Sequence, residues 1–561
     1  VAWDRELDFL VIGSGAAGFA AALRAADAGL DTLMVEASPL YGGSTAISGG
    51  VVWVPNNPQL ASRGIQDSRE ESLAYLRHIS AGRVPEDRLA AYVDGSLRML
   101  DWMEEHSWLH LDALEAYTDY YAEAPGGKPG GRSMEPVPFD ATLLGDAFGT
   151  LRKPHPQSQV MGRFGITARE AHGYLVPTVF TRVKLVWRMV QYALRFWKRH
   201  GGRDTKLHAG NALIGRLMRS LQDREVGLWL SSPVTSLVVE DGQVVGAELE
   251  RGGETVRVRA RHGVLLAAGG FEQNQAMRDT HHTQGESRVA WNAGNPANVG
   301  AVLQMGIDAG GATDLMDEAW WTPVTRIPKS EPSWVLVVEK SLPGSIFVNR
   351  HAQRFTNEAA PYQDVVKGMY EGDAVPVCWM VFDAEFRKQY PVGPVAPGYA
   401  IPDKRLSRRF RDGFFKRGAS IEALAEACDL DPVALSATLE RFNQMAETGV
   451  DQDHGRGQSH ADRYYGDPRV GSNPSLRALT EAPYYAIPVF PGDLGTKGGL
   501  VTDPKARVLR ADGSHIPGLY AAGNCSSAVM GPSYPGAGGT IGPALTFGFL
   551  AAEAVAARKD A

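Results

Sequence analysis

The start of the chain leaves the fewest options for its fold. Phe9-Leu10-Val11-Ile12 is a short apolar strand, and Gly13-Ser14-Gly15-Ala16-Ala17-Gly18 follows it directly. An Ala-rich helix then runs to Ala28, Gly29 caps it, and Thr32-Leu33-Met34-Val35 forms a second strand ending at Glu36. Strand, helix, second strand and acidic end are in register for a dinucleotide-binding βαβ unit. Gly13 makes the tight turn, Gly15 lets a diphosphate approach the backbone, and Gly18 lets helix and strand pack. The helix N-terminus at Ala16 and Ala17 offers its amide dipoles to the diphosphate. Glu36, with Ala37 beside it, is placed to accept ribose hydroxyls.

A second loop chooses between dinucleotides. Gly42-Gly43-Ser44-Thr45-Ala46-Ile47-Ser48-Gly49-Gly50 supplies backbone and hydroxyl donors in quick succession. A nicotinamide dehydrogenase has no need of such a loop, whereas a flavin ring needs donors along its edge. The reading is FAD, with Gly42, Gly43, Ser44, Thr45, Ser48, Gly49 and Gly50 among its ligands.

Two further strands complete the cofactor unit. Val264 to Phe271 ends on Ala268, Gly269 and Gly270, and Gly518 to Asn524 ends on Gly523 and Asn524. Gly539 and Ile541 open the last helix. Between them, Val234 to Val258 alternates apolar and polar residues with turns at Asp241-Gly242 and Gly252-Gly253. That pattern predicts an antiparallel meander, with Val234 counted among the cofactor contacts. The fold class is α/β: a Rossmann-like FAD-binding domain built from both chain ends, 1–322 and 496–561, and an α+β catalytic cap, 323–495. Helical patterns at Ile421 to Cys428 and Pro432 to Ala446 belong to the cap.

Composition removes several function classes. Lys+Arg 57 against Asp+Glu 64 leaves a net charge of −7, which disfavours nucleic acid as a partner. The 3 cysteines, Cys378, Cys428 and Cys525, have no CxxC spacing, so neither a disulfide framework nor a zinc site is expected and a reducing compartment is the default. Asp451, Asp453 and Asp503 read as solvated acids, and no metal is expected. The N-terminal residues do not read as a charged-then-apolar leader. The longest apolar run, Ile541 to Ala552, is interrupted by Glu553. These features predict a cytoplasmic protein, with peripheral membrane contact as the added element described below.

The motifs resemble the fumarate-reductase/succinate-dehydrogenase-like flavoproteins over nearly the whole chain. The likeness rests on the N-terminal glycines, the Gly42–Gly50 loop, Arg354-Phe355-Thr356-Asn357-Glu358, Gly498-Gly499-Leu500-Val501 and the closing Gly-rich strand and helix. The dicarboxylate clamp of the fumarate reductases is missing: Asn357-Glu358 leads into Ala359-Ala360-Pro361-Tyr362 with no His-Pro-Thr. Trp320-Trp321-Thr322-Pro323 suggests an apolar pocket instead. Ser44 stands where succinate dehydrogenases carry a flavin-linked His, so the resemblance implies non-covalent FAD.

Within that group the chain is similar to the 3-ketosteroid Δ1-dehydrogenases. Three segments carry the similarity: Tyr117 to Ser133, Arg354 to Tyr362, and Ser533-Tyr534-Pro535-Gly536-Ala537-Gly538-Gly539-Thr540-Ile541-Gly542. The resemblance implies removal of a C2 proton and a C1 hydride from a 3-ketosteroid or 3-ketosterol, with a quinone-like or other acceptor reoxidising the flavin. It assigns Tyr362 as base, Tyr120 as its helper, and Tyr534 with the Gly538 amide as donors to the C3 oxygen. Tyr117 and Tyr121 flank Tyr120, and the sequence leaves open which of the three assists. A Δ4-(5α)-dehydrogenase of the same flavin class is the nearest alternative. An unsaturated-acid reductase and a non-catalytic flavin-binding membrane adaptor are more distant ones.

One segment stands outside the motifs. Residues 174–206 are rich in Trp and Arg, and Arg182 to Lys206 holds eight Lys/Arg and one acid. Val179, Val183, Val186, Val190, Ala193, Leu194 and Trp197 recur at helical spacing, and Arg188, Arg195 and Arg199 are expected to border that face. A basic amphipathic helix of this kind is expected at a membrane surface.

Overall fold

The computed structural model describes residues 2–160, 162–175, 178–195, 202–329 and 332–559. Its main sheet begins with the strand Arg5–Ile12, flanked in parallel by Thr32–Val35 and by Glu254–Leu266. Gly227–Trp229 extends the sheet beyond Thr32–Val35. On the other side, Glu254–Leu266 pairs antiparallel with Gln243–Arg251, which pairs with Val234–Glu240. This is the expected meander. Asp241 and Gly242 both have positive φ, +50° and +76°, as do Gly252 and Gly253, +62° and +88°. Two-residue turns of that kind match the twist of the strands they join.

The C-terminal part closes the same sheet. His515–Ala521 lies parallel to Glu254–Leu266. After it comes the helix Ile541–Lys559, which packs against the helices Ala16–Asp27 and Glu86–His106. By length and composition this helix could cross a membrane, yet Ile541 to Ala552 is buried in the core at nearly every position. A helix apolar on all sides is what a site between two helices and a sheet requires.

The cap is built on a second, antiparallel sheet, in the order Trp334–Val335, Ala319–Thr325, Tyr484–Thr496, Cys378–Phe382, Ser345–Val348. A division at 322/323 cuts the strand Ala319–Thr325, so sheet membership puts the crossing just before Ala319. The second crossing, at 495/496, falls at the end of Tyr484–Thr496. Pro323 faces Pro491 across this sheet, a position where neither residue has to donate to the other. The helices Ile421–Ala427 and Pro432–Thr448 cover one face, as their patterns predicted.

Two readings need correction. Asp451 is not solvated: it is 1% exposed and accepts from Arg354 Nη2 at 2.9 Å. Arg354 also grips Glu358 through two bonds of 2.9 Å, and Arg456 Nη1 reaches Glu358 at 3.1 Å. The Arg354–Glu358 motif is therefore a buried charge scaffold of the cap. The second correction concerns the basic segment, where Arg188 does not border a lipid-facing surface. It is 8% exposed, donates to Gly165 O and lies 3.6 Å from Glu170. Arg195 is held by Asp204 at 2.9 Å. Trp197 and Arg199 lie outside the described residues.

Candidate active site

The cofactor cradle is a matter of backbone sterics. Gly13 has φ +109°, and a Cβ there would lie 2.4 Å from Ala267 O. A Cβ on Gly18 would lie 2.0 Å from Gly13 O. Gly15 differs: a Cβ there would meet nothing nearer than Thr45 Oγ1 at 3.9 Å, so the protein itself leaves that face open. Gly49 is likewise exposed and open. An opening beside a helix N-terminus, between two glycine loops, fits the diphosphate and flavin of FAD. Glu36 is fixed for its role by Ser14, whose Oγ donates to Oε2 at 2.6 Å, and by the Ser38 amide at 2.9 Å.

The other cradle residues divide by role. Thr45 Oγ1 accepts from the Ala16 amide at 3.2 Å, joining the two loops. Ser48 Oγ donates to Thr45 O and accepts from Gly50 N. Gly42, Gly43 and Gly50 have positive φ, and a Cβ on Gly50 would lie 2.3 Å from Ala209 C. Ser44 Oγ accepts from Asn298 Nδ2, which also reaches Glu272, and Gly269 packs on that Asn298 side chain. Ala268 precedes this turn, Gly523 has φ +63°, and Asn524 Oδ1 accepts from Trp320 Nε1 at 3.3 Å. Gly539 closes on Pro535, and Ile541 begins the last helix. Ala37 is exposed beside Glu36. Val234 lies 9% exposed in the core with Leu33 and Val35, so its backbone is what it can offer a ligand.

Next to the cradle three tyrosines converge from distant parts of the chain. The ring centroids of Tyr120 lie 5.5 Å from Tyr362 and 5.4 Å from Tyr534, and Tyr362 and Tyr534 are 6.4 Å apart. All three are buried. Trp320 packs edge-on against Tyr534 at 4.8 Å, giving the pocket an apolar wall. Tyr120, Tyr117 and Tyr121 have different partners. Tyr120 packs edge-on against Tyr362 and at a tilt against Tyr534; Tyr117 bonds to Tyr465 Oη, and Tyr121 Oη donates to Asp364 at 2.9 Å.

Local structure explains why these phenols are held still. Tyr362 is the first residue of the helix Tyr362–Glu371, set by Pro361 before it. The Tyr534 loop is stitched to the N-terminal part. Tyr120 N and Tyr75 Oη both donate to Pro535 O, at 3.0 and 2.6 Å. Ser133 Oγ donates to Ala537 O at 2.8 Å, and Trp53 N to Gly538 O at 3.2 Å. Behind Tyr120, Asp119 accepts from Trp53 Nε1 at 2.8 Å and from Arg132 at 2.9 Å. Gly538 has φ +94° and lies against the Trp53 backbone, so glycine is required there by the fold. Its amide N–H takes no protein acceptor among the described residues, which leaves a donor available.

Electrostatically the pocket resists charge. Burial pushes the phenols of Tyr120 and Tyr362 well above their ordinary value, and that of Tyr534 up to about 12. The adjacent Tyr120 phenol works in the opposite direction on Tyr362, favouring its ionised form. Tyr534 Oη lies 3.4 Å from Thr540 Oγ1 and can still turn to a ligand.

Sequence reasoning missed two buried lysines. Lys340, which follows the apolar run Val335–Val338 and Glu339, is 2% exposed, and Lys497, directly before the Gly498-Gly499 motif, is fully buried.

The chain resembles known proteins over nearly its full length. The sequence profile of the family described as FAD binding domain matches residues 8–541. The 3-oxosteroid 1-dehydrogenase of Mycolicibacterium smegmatis is 41% identical over 580 residues, covering 99% of this chain and 98% of its own length. The crystal structure of 3-ketosteroid Δ1-dehydrogenase from Sterolibacterium denitrificans, in complex with 1,4-androstadiene-3,17-dione, superposes with a TM-score of 0.95. It is 42% identical, and the match covers 99% of this chain and 100% of that one. The 3-ketosteroid Δ4-(5α)-dehydrogenase from Rhodococcus jostii RHA1 is 21% identical with a TM-score of 0.65 over 99% and 98% of the two chains, a likeness of fold. On the profile and on near-full-length identity, this chain belongs to the FAD-binding-domain flavoproteins and, within them, to the 3-oxosteroid 1-dehydrogenase family.

Proposed function

We propose that the protein desaturates the C1–C2 bond of 3-ketosteroids. One observation carries this reading: Tyr120, Tyr362 and Tyr534 share a buried pocket beside the cofactor cradle and the free Gly538 amide. The C2 hydrogen of a 3-ketone is acidic only when the developing enolate oxygen is stabilised. Tyr534 Oη and the Gly538 amide hold that oxygen, as donors aimed at a forming oxyanion. Tyr362 Oη takes the C2 proton, and Tyr120 supports its ionised form by donating a hydrogen bond. FAD, bound without a covalent link, supplies the acceptor for the C1 hydride. A further turnover would require a quinone-like or other two-electron acceptor. The test is anaerobic addition of 4-androstene-3,17-dione to the holoenzyme. Flavin bleaching with formation of the 1,4-diene is expected; a product desaturated elsewhere, or no bleaching with any 3-ketosteroid, overturns the reading.

We further infer that the helix Val179–Leu194 meets a lipid surface. Val183, Val186, Trp187, Val190 and Leu194 are 40–63% exposed and lie at helical spacing, an unusually continuous apolar stripe for a free surface. With Arg188 and Arg195 engaged in internal pairs, apolar burial replaces cationic attraction as the driving force. The preceding helix, Ala168–Leu175, links this stripe to the pocket. His172 stacks on Tyr464 at 4.3 Å, and Tyr464 packs on Tyr117 at 4.6 Å. Such a placement suits ketosterols that retain a side chain and partition into lipid.

A further inference from the structure

Tyrosine is a reluctant base, with an unperturbed pKa of about 10. This pocket makes it more reluctant, because burial opposes ionisation, as would a negative charge on the neighbouring Tyr465, Tyr117 or Tyr534. Something fixed and positive is needed close to Tyr362. Among the described residues, Lys340 and Lys497 are the deeply buried lysines, and neither makes an ion pair.

The surroundings of Lys340 are specific. Its Nζ donates to Glu358 O at 3.1 Å, to Ala359 O at 3.1 Å and to Ala360 O at 2.6 Å. These carbonyls belong to the turn that leads through Pro361 into Tyr362. The same Nζ lies 5.2 Å from the centroid of the Tyr362 ring. The charged groups around it are otherwise committed. Glu358 is gripped by Arg354 and Arg456, Asp462 accepts from Asn357 Nδ2 and Gly457 N, and Asp364 accepts from Tyr121. Glu339, adjacent in sequence, turns its carboxylate to Trp334, Val338 and Gly393.

We propose that Lys340 is a positioning residue for Tyr362, its ammonium fixing the turn that delivers the phenol and lying over the ring so that the ionised form is favoured. The proposal rests on Tyr362 being the base. An ammonium has three N–H donors and a neutral amine two, so three carbonyl acceptors select the charged form against the pull of burial, which lowers the Lys340 pKa to about 7. A cation over a phenol ring is attracted to its negative face, and more strongly once the ring carries part of a phenolate charge. Lys497 repeats the construction for the other tyrosine. It donates to Gly531 O and Ser533 O, at 3.1 and 2.5 Å, and lies 4.5 Å from the Trp320 ring that packs on Tyr534.

The experiment compares pH profiles of kcat on 4-androstene-3,17-dione for the wild-type holoenzyme and the variants Lys340→Met, Lys340→Gln, Lys340→Arg and Lys497→Met. Lys340→Gln keeps two donors for the carbonyls and removes the charge, so it serves where Lys340→Met does not fold. In both neutral variants the acid limb should move up by about one pH unit, about tenfold in rate at neutral pH, with recovery at alkaline pH. Lys340→Arg should restore most of the wild-type profile. Lys497→Met should raise KM with the limb in place, as expected for a residue serving Tyr534. A Tyr362→Phe difference in tyrosinate absorbance, recorded in wild-type and Lys340→Gln backgrounds, should show the same upward shift directly. An unmoved limb in Lys340→Gln, or an equal rate loss at every pH, overturns the proposal. Full turnover by Tyr362→Phe would instead remove the base assignment on which it rests, a separate result.

Discussion

The cofactor cradle and the tyrosine cluster sit side by side and are specified by opposite means. The glycine loops of the cradle lie within residues 13–50 and work by missing side chains: at Gly13 and Gly18 a single Cβ would strike backbone. The tyrosine cluster is made of present side chains, brought together from residues 120, 362 and 534 by hydrogen bonds to a loop near the C-terminal helix. The cradle should fail by losing its ligand or its fold. The cluster should fail by losing catalysis and steroid binding while FAD is retained.

The largest expected effect separates the two at once. Tyr362→Phe should lower kcat by about 10²–10⁴-fold, the range for a lost general base, with the FAD spectrum and content unchanged. Loss of bound FAD in this variant would show that the two regions are not independent. Tyr534→Phe should lower kcat by about 10²–10³-fold and raise KM, because one of two donors to the C3 oxygen is gone. A steroid with a 3-hydroxyl in place of the ketone should not react directly.

Within the cradle, two glycines should break apart. Gly18→Ala forces a methyl against Gly13 O and should destabilise even the FAD-free protein by about 1–3 kcal/mol, read as a lower Tm. Gly15→Ala meets no protein atom closer than 3.9 Å, so the FAD-free Tm should hold while FAD affinity falls. Equal Tm losses in the two variants would contradict an open diphosphate face.

Acid should act on the cap first. The Arg354 guanidinium holds Glu358 below the usual carboxylate range against the effect of burial, and Asp451 down to about 2. A carboxylate with a lowered folded pKa contributes stability above its unfolded value, and that stability is lost as pH falls through the folded one. Below about pH 4 the near-UV signal of the buried tyrosines should therefore decline before FAD is released. Simultaneous loss would mean that the charge scaffold supports both regions equally.

The smallest effect concerns the exposed helix. Val186→Glu with Trp187→Glu should abolish co-sedimentation with neutral lipid vesicles and leave turnover of a soluble androstane ketone unchanged. Wild-type binding should persist at high salt, since Arg188 and Arg195 are engaged in internal pairs. Binding that vanishes with salt would restore the cationic account.

What could be read from sequence follows the same division. The βαβ unit, the meander with its positive-φ turns and the closing strand and helix rest on local rules, and all were legible. The cap strands Ala319–Thr325 and Tyr484–Thr496 were not, because Pro323, Pro488 and Pro491 argue against strands until their pairing is seen. Tyr120, Tyr117 and Tyr121 differ in ring contacts and hydrogen-bond partners, and those partners lie far away in sequence. Asp451 and Arg188 were misread because their partners, Arg354 and Glu170, lie outside the local window. Lys340 and Lys497 escaped because a lysine is normally solvated, and carbonyl cages have no sequence signature.

The pairing of His515–Ala521 with Glu254–Leu266 has a consequence for biosynthesis. The inner strand of the cofactor sheet has been made when residue 266 emerges, but its neighbour is about 250 residues away. At about 5–20 residues per second, the nascent sheet waits on the order of tens of seconds with an unpaired apolar edge. The whole cap is translated during that interval and must fold before the last strand arrives. Recovery of active enzyme should therefore depend on chaperone capacity during synthesis, and FAD supplied after that stage should do little to rescue chains that have already misassembled.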